Sequence, residues 1–128
     1  MIFDTEVLIW FFRGDSAAAE LIGSRSDRAV SIISWMELMQ GARSGEETKI
    51  IRRFLRDNEF RVIPVTESIS HAAATLIEEY ALSHGLQVAD ALIAATARET
   101  AAVLATGEVR HFRRIPGLEM LAFRRPGR

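Results

Sequence analysis

The chain of 128 residues contains no cysteine and only one lysine, Lys49. Without cysteine there is no disulfide framework, no thiolate zinc site, no iron–sulfur cluster and no cysteine nucleophile. No apolar run approaches the roughly 18 residues of a membrane span. The apolar start at residues 1–3 lacks the basic region of a secretory signal. We therefore expect a cytoplasmic protein. If a mechanism requires a lysine, Lys49 is the one residue in the sequence that can supply it.

The charge of the sequence is nearly balanced, at −1, but it is unevenly distributed. Residues 110–128 hold six arginines against one acid, a net charge of +5. Residues 1–109 hold ten basic and sixteen acidic residues, a net charge of −6. The average therefore hides an acidic body and a basic end, so it does not exclude a nucleic-acid partner.

Short apolar runs alternate with helical patterns along the whole chain. We predict strands near residues 1–3, 28–33, 61–65, 103–106 and 119–123, and helices over 5–12, 17–22, 34–40, 46–58, 67–83 and 88–100. The strands are continuously apolar rather than alternating in polarity, which indicates a parallel sheet covered on both faces. The expected fold is a single α/β domain over residues 1–123, with a mainly parallel sheet of four to five strands flanked by helices on both faces. Residues 124–128 form an arginine-rich tail that we expect to be disordered.

Four carboxylates fall where predicted strands end and helices begin. Asp4 ends the first strand, and Glu108 follows the fourth strand in a loop. Glu37 and Asp90 lie in the first turns of two predicted helices. In a parallel sheet with right-handed crossovers these positions share one edge, where ligands bind. Asp4, Glu37 and Asp90 also stand among apolar residues, and a buried carboxylate is usually paired or coordinating.

Each of these acids also has a purely structural explanation. A carboxylate in the first turn of a helix is stabilised by roughly 0.3–1 kcal/mol, and residues 34–37 have the spacing of a capping box. Four such coincidences at one edge are less expected than one shared site.

Hard oxygen ligands without cysteine or convergent histidine favour Mg²⁺ or Mn²⁺. One or two such ions would support hydrolysis of a phosphodiester by metal-activated water.

Four segments of the sequence carry a family resemblance. They are Asp4-Thr5-x-Val7-Leu8-Ile9, Glu37-Leu38 with Gly41, Asp90 to Ala97, and Thr106 through His111-Phe112 to Leu118. In this order and spacing they resemble the PIN-domain ribonucleases, specifically the VapC-type toxins of bacterial toxin–antitoxin pairs. The resemblance covers nearly the whole chain and implies a PIN-like fold. It also implies a metal-dependent endoribonuclease, usually a homodimer, whose acidic pocket a VapB-type antitoxin blocks, with DNA contacted only through the antitoxin.

The resemblance assigns Asp4, Glu37 and Asp90 as the metal-binding, catalytic acids. Thr5 and Thr106 match small hydroxyl positions that support the site. RNA is the implied substrate, and the ions are the Mg²⁺ or Mn²⁺ that the oxygen ligands favour.

Two acids depart from the family pattern. Glu108 stands where Asn or Asp is usual, and we retain it as the fourth catalytic, metal-binding acid with an altered reach to a second ion. Glu6 stands where Asn is common, and it either adds negative charge near the site or faces solvent. These departures keep a second function open, a catalytically weakened PIN domain that acts mainly as a protein-binding, autoregulatory partner.

Several other side chains have two interpretations each. Five arginines are candidate contacts to RNA phosphates: Arg110, Arg113, Arg114, Arg13 and Arg43. The alternative for those after residue 108 is a solvated charged loop. His111 is either a proton carrier or a structural hydrogen-bonding residue. The large apolar residues at positions 10–12, 35 and 36 are either core or part of a groove for an antitoxin helix or a second copy.

Other α/β classes fit the sequence less well. A phospho-acceptor receiver domain also places acids at strand ends, but it needs a lysine near the last strand. Lys49 lies between the second and third predicted strands. The chain also lacks both glycine-rich phosphate-binding patterns of nucleotide-binding folds.

Overall fold

The computed structural model describes residues 1–124, 126 and 127. Within them five strands alternate with seven helices: β1 (Ile2–Phe3), α1 (Thr5–Phe12), α2 (Ser16–Gly23), β2 (Ala29–Ser31), α3 (Ile32–Gly41), α4 (Gly45–Asp57), β3 (Arg61–Ile63), α5 (Glu67–His84), α6 (Val88–Glu99), β4 (Leu104–Thr106), α7 (Val109–Phe112) and β5 (Met120–Ala122). The predicted alternation is confirmed, including the fifth strand. The predicted tail contains Arg125 and Arg128, which lie outside the described residues, so the domain boundary and the disorder of the tail stay predictions.

The five strands form one parallel sheet in the order β3-β2-β1-β4-β5. The chain builds outward from β1 through β2 to β3, then returns to place β4 on the other side of β1. The strand order therefore reverses between β1 and β4. In open α/β sheets the crevice at the carboxyl ends of the strands at such a reversal is where ligands bind.

Helices cover both faces of the sheet because successive strand residues point to opposite faces. Ile2 and Leu104 are fully buried in a cluster formed with α5 and α6. Phe3 and Ala105 are fully buried in a second cluster, formed with α1 to α4. The layered fold with helices on both faces agrees with the prediction.

The start of α3 corrects the predicted boundary between the second strand and its helix. Strand β2 ends at Ser31, whose side chain caps α3 by accepting a hydrogen bond from the Ile33 amide at 3.0 Å. Glu37 therefore lies in the second turn rather than the first, and the predicted capping box from Ser34 is wrong. The reason is local: Ser31 supplies the cap three residues earlier.

The segment after β4 also differs from its prediction. Residues 109–112, expected to be loop, form the single turn α7 after Glu108. A helix of four residues is too short to show the periodicity on which sequence patterns depend. None of the helices in the described part of the chain is long and apolar enough to cross a membrane.

Candidate active site

Asp4 occupies the point where the strand order reverses. It follows β1 directly and caps α1, with Oδ1 accepting a hydrogen bond from the Thr5 amide at 2.9 Å. Its Oδ2 accepts from Thr106 Oγ1 at 2.7 Å, and Thr106 is the last residue of β4. This hydrogen bond joins the ends of β1 and β4, so the crevice between them is lined by a carboxylate held at both oxygens.

Glu37 reaches the same edge from α3. Thr5 Oγ1 donates a hydrogen bond to Glu37 Oε1 at 2.7 Å and lies 2.9 Å from the Ser34 hydroxyl oxygen. Ser34 is fully buried and sits one turn before Glu37, on the same face of α3. The sequence analysis missed this role of Ser34, although its spacing from Glu37 could have indicated it.

Asp90 and Glu108 meet across His111. Asp90 lies in the first turn of α6, as predicted, with its Oδ2 at 3.8 Å from His111 Nδ1. Glu108 Oε2 lies 3.5 Å from His111 Nε2. The amide of Glu108 donates to Thr106 Oγ1 at 2.9 Å. Thr106 therefore connects this pair to Asp4.

The four carboxylates act on one another electrostatically. Burial raises the pKa of Asp4 to about 6, with further upward contributions from Asp90 and Glu37 that the Thr106 and Thr5 hydrogen bonds oppose. Burial also raises the pKa of Asp90, against a lowering effect of His111, and the Glu37 and Glu108 charges raise it further. Among the described residues no arginine or lysine forms an ion pair with Asp4, Glu37 or Asp90. Among the described residues, Asp4, Glu37 and Asp90 therefore form a negative group that no arginine or lysine ion pair neutralises.

The donor chemistry of this edge fits a hard divalent cation. The side chains that converge are carboxylates with two supporting hydroxyls, which is the ligand type of Mg²⁺ and Mn²⁺. In the part of the chain that the structure describes, no three acidic or histidine side chains already stand close enough together to hold an ion. Like charges that act on one another disfavour ionisation of each carboxyl group, and a bound cation would offset that effect.

The predicted RNA contacts fall in two places. Arg110, Arg113 and Arg114 are exposed on and after α7, next to Glu108. Arg13 and Arg43 instead line a groove of about 570 Å³ between α1, α3 and α4. Glu37 also lines this groove, so the groove extends away from the carboxylate edge.

The structure also places Glu6 and the large apolar residues of α1 and α3. Glu6 is half-buried, with its Oε1 atom enclosed, so it does not simply face solvent. The aromatic residues at positions 10–12 and 35 pack partly buried against the second core cluster, and Phe12 also lines the groove. Met36, expected to be either core or part of a groove, is 47% exposed.

These features define a class of α/β domain. Its sheet is parallel, and acidic side chains line the edge where the strand order reverses. The PIN domain family model matches residues 1–118. Two proteins of Mycobacterium tuberculosis are similar along most of their length. Ribonuclease VapC10 is 38% identical over 116 residues, 88% of this chain and 85% of that protein. Ribonuclease VapC19 is 35% identical over 123 residues, 92% of this chain and 96% of that protein. The chain belongs to the PIN domain family and, within it, to the VapC-type proteins.

Solved structures agree with this assignment. A toxin–antitoxin complex from Klebsiella pneumoniae contains a chain that is 30% identical, with a TM-score of 0.80 over 94% of this chain and 95% of that one. VapBC2 from Rickettsia felis, bound to a DNA fragment from its promoter, matches with a TM-score of 0.80 over 96% and 99%. At 21% identity the second likeness shows the fold alone. The predicted fold and family are confirmed.

Proposed function

We propose that the chain is a Mg²⁺- or Mn²⁺-dependent endoribonuclease that acts as a toxin in the cytoplasm and is neutralised by a VapB-type antitoxin. The observation that supports this proposal is the electrostatic interaction of four carboxylates, from four separate parts of the chain, near the reversal point of the sheet. The hydroxyl of Thr106 joins the ends of β1 and β4 there through Asp4. The ribonuclease names of the VapC relatives support the choice of RNA as substrate.

Asp4, Glu37, Asp90 and Glu108 would hold one or two ions in this proposal. When bound, a divalent cation supplies activation of water and neutralisation of charge at the phosphodiester. Thr106 fixes the orientation of Asp4, and Thr5 fixes that of Glu37, through their 2.7 Å hydrogen bonds. Asp4 is increasingly protonated as the pH falls below its pKa of about 6, and this protonation competes with cation binding.

The antitoxin partner is supported by the groove between α1, α3 and α4. Ile9, Ile50 and Leu38 give it apolar walls, and its charged side chains are balanced, with Arg13 and Arg43 beside Glu37 and Glu47. A peptide segment that fills this groove would lie against Glu37 and close the carboxylate edge to RNA. The solved toxin–antitoxin complexes of similar chains support a partner of this kind. A homodimer stays part of the proposal, and light scattering of the purified chain tests it.

The decisive experiment combines metal removal with two substitutions. Purified protein should cleave labelled RNA with Mg²⁺ or Mn²⁺, and chelation should abolish cleavage. Asp4→Asn and Asp90→Asn should be inactive while unfolding as cooperatively as the wild type. Asp57→Asn is the matched control, because Asp57 is an exposed carboxylate that pairs with Arg56 on α4. Full activity of both site variants would remove the site assignment.

The weakened PIN domain remains the second candidate because Glu108 departs from the family pattern. It predicts normal association with an antitoxin and no cleavage of any RNA. Restoring the usual residue separates the two functions. If Glu108→Asn gains cleavage that the wild type lacks, the departure at position 108 has weakened the enzyme.

A further inference from the structure

A second cavity opens beside the candidate active site, where α5 ends and α6 begins. It encloses about 270 Å³ and is lined by His84, Gly85, Leu86, Gln87, Asp90 and His111. Asp90 and His111 belong both to this cavity and to the carboxylate cluster. A group held in the cavity therefore lies directly beside the carboxylates.

His84 is a fixed, flat surface in the wall of the cavity. Its Nδ1 lies 2.7 Å from the Ser83 hydroxyl oxygen. Its ring meets the ring of Tyr80 edge to face, with the centroids 5.7 Å apart. These two contacts limit the motion of an exposed imidazole. They leave it in a defined position at the cavity, although nothing in the proposed reaction uses it.

The rest of the lining combines apolar contact with hydrogen-bonding groups. Leu86 is buried and supplies an apolar wall. The side-chain amide of Gln87 donates from Nε2 to the Gly85 carbonyl at 3.2 Å. This side chain brings both an N–H donor and a carbonyl acceptor to the cavity. Gly85 ends α5 in the left-handed conformation, at φ 65°, and nothing lies within 4 Å of the place where a Cβ would stand. The turn therefore leaves the cavity mouth open.

Size and charge favour a neutral flat ring as the occupant. The volume lies just below the roughly 300–1,000 Å³ of pockets for drug-sized ligands, so it suits a single ring system. Among the described residues the lining contains one carboxylate and no arginine or lysine, which disfavours a phosphate group. Single-stranded RNA is recognised by stacking its bases on aromatic side chains, histidine included, and by hydrogen bonds to the base edges.

We propose that this cavity is a subsite for one base of the RNA strand, next to the bond that is cut, with His84 as the stacking surface. The proposal rests on the ribonuclease function proposed above. It concerns substrate recognition rather than the reaction itself, so RNA binding without cleavage can test it.

The experiment measures binding of single-stranded RNA to the full chain in the presence of a chelator, so that no strand is cut. The probes are fluorescent homopolymers of each of the four bases, within the roughly 4–16 nucleotides that single-strand sites span. His84→Ala should weaken binding of at least one homopolymer by roughly 5- to 150-fold, the range for loss of one stacked base. His84→Phe should restore most of this loss because it keeps the flat ring.

His71→Ala is the matched control. His71 is exposed on the same helix and lies about 20 Å from His84 along the helix axis. This variant should bind RNA as the wild type does. Thermal unfolding of each variant shows whether the fold has been retained.

An abasic oligonucleotide of the same length distinguishes stacking from contact with the backbone. Wild type and His84→Ala should bind this oligonucleotide equally, since no base is present to stack. If His84→Ala weakens abasic and base-containing strands alike, the residue contacts phosphate or supports the fold, and the proposal is wrong. Unchanged binding of every homopolymer also overturns it. If the base subsite is overturned in this way but the wild type cleaves RNA with a metal, the ribonuclease function is still supported. A wild type that neither binds nor cuts RNA overturns both the subsite and the ribonuclease function.

Discussion

The two halves of the carboxylate cluster are held in different ways. Asp4 and Glu37 each accept a 2.7 Å hydrogen bond from a buried threonine hydroxyl. Asp90 and Glu108 face His111 at 3.8 and 3.5 Å, distances longer than hydrogen bonds. Each side chain of this second pair is also 26% exposed. The first pair is therefore held by short hydrogen bonds from buried threonines, whereas the contacts of the second pair to His111 are long and partly exposed to solvent.

The departure from the family pattern lies in the second pair. Glu108 belongs to the second pair, and its extra methylene extends a side chain that is 26% exposed. A longer side chain at Asp4 would collide with groups that already hold both of its oxygens. We therefore expect substitutions in the first pair to have larger effects than substitutions in the second.

The largest expected effect compares Asp4→Asn with Glu108→Gln in RNA cleavage. Removing a group that merely orients a metal ligand costs roughly 10- to 100-fold, so loss of Asp4 itself should exceed that range. Glu108→Gln should fall within it, because its carboxylate is more exposed than that of Asp4. Initial rates on a labelled RNA with Mn²⁺ give the comparison. Equal losses in the two variants would remove the distinction between the pairs.

The next effect is a dependence of stability on pH that belongs to Asp4. Its pKa is raised from 3.8 to about 6 in the folded chain, so the native state binds more protons than the unfolded state between these values. Stability of the metal-free protein should therefore fall as pH rises from about 4 to 6, by at most about 3 kcal/mol. Urea unfolding in a chelator measures this slope. Asp4→Asn should reduce it and leave the contribution of Asp90, whose pKa is also raised, while Asp57→Asn should leave it unchanged.

The same protonation opposes cation binding. Mn²⁺ affinity of the wild type should decline as pH falls below about 6, since a proton occupies Asp4. Titration calorimetry between pH 5 and 8 checks this, with catalysis playing no part. A constant affinity over that range would contradict a carboxylate site.

A smaller effect is expected for the hydroxyl that joins the two pairs. Thr106→Val removes the donor to Asp4 and the acceptor for the Glu108 amide while keeping the side-chain shape. Loss of these buried hydrogen bonds should cost about 1–3 kcal/mol of stability. Thr106→Ser keeps the hydroxyl and serves as the control. If the valine and serine variants unfold at the same urea concentration, Thr106 does not position Asp4.

The smallest effect is expected for His111. Its contacts to Asp90 and Glu108 are long and solvent-exposed, and exposed ion pairs contribute about 0.2–1 kcal/mol. His111→Ala should therefore change Mn²⁺ affinity by no more than about fivefold. A much larger change would show that the second pair is as firmly held as the first.

The sequence by itself determined the elements and the edge on which the acids lie. Continuous apolar strands alternating with helices specify a parallel sheet, and in such a sheet Asp4, Asp90 and Glu108 fall at strand ends or helix starts because of local chain direction alone. The edge position of β3 and its end before Pro64 also follow from one residue, since proline cannot donate to a neighbouring strand. The absence of cysteine directed the choice of ligand toward oxygen.

Only the tertiary structure decided how the acids are held and what surrounds them. The hydrogen bond between Asp4 and Thr106 joins residues 102 positions apart, and that between Thr5 and Glu37 joins residues 32 apart. Neither leaves a local pattern in the sequence. The second-turn position of Glu37 likewise depends on Ser31 capping α3, and the cavity at His84 forms only where α5 and α6 meet α7. Contacts of this kind arise from packing between distant segments, and the free energy of that packing does not appear in the local sequence pattern.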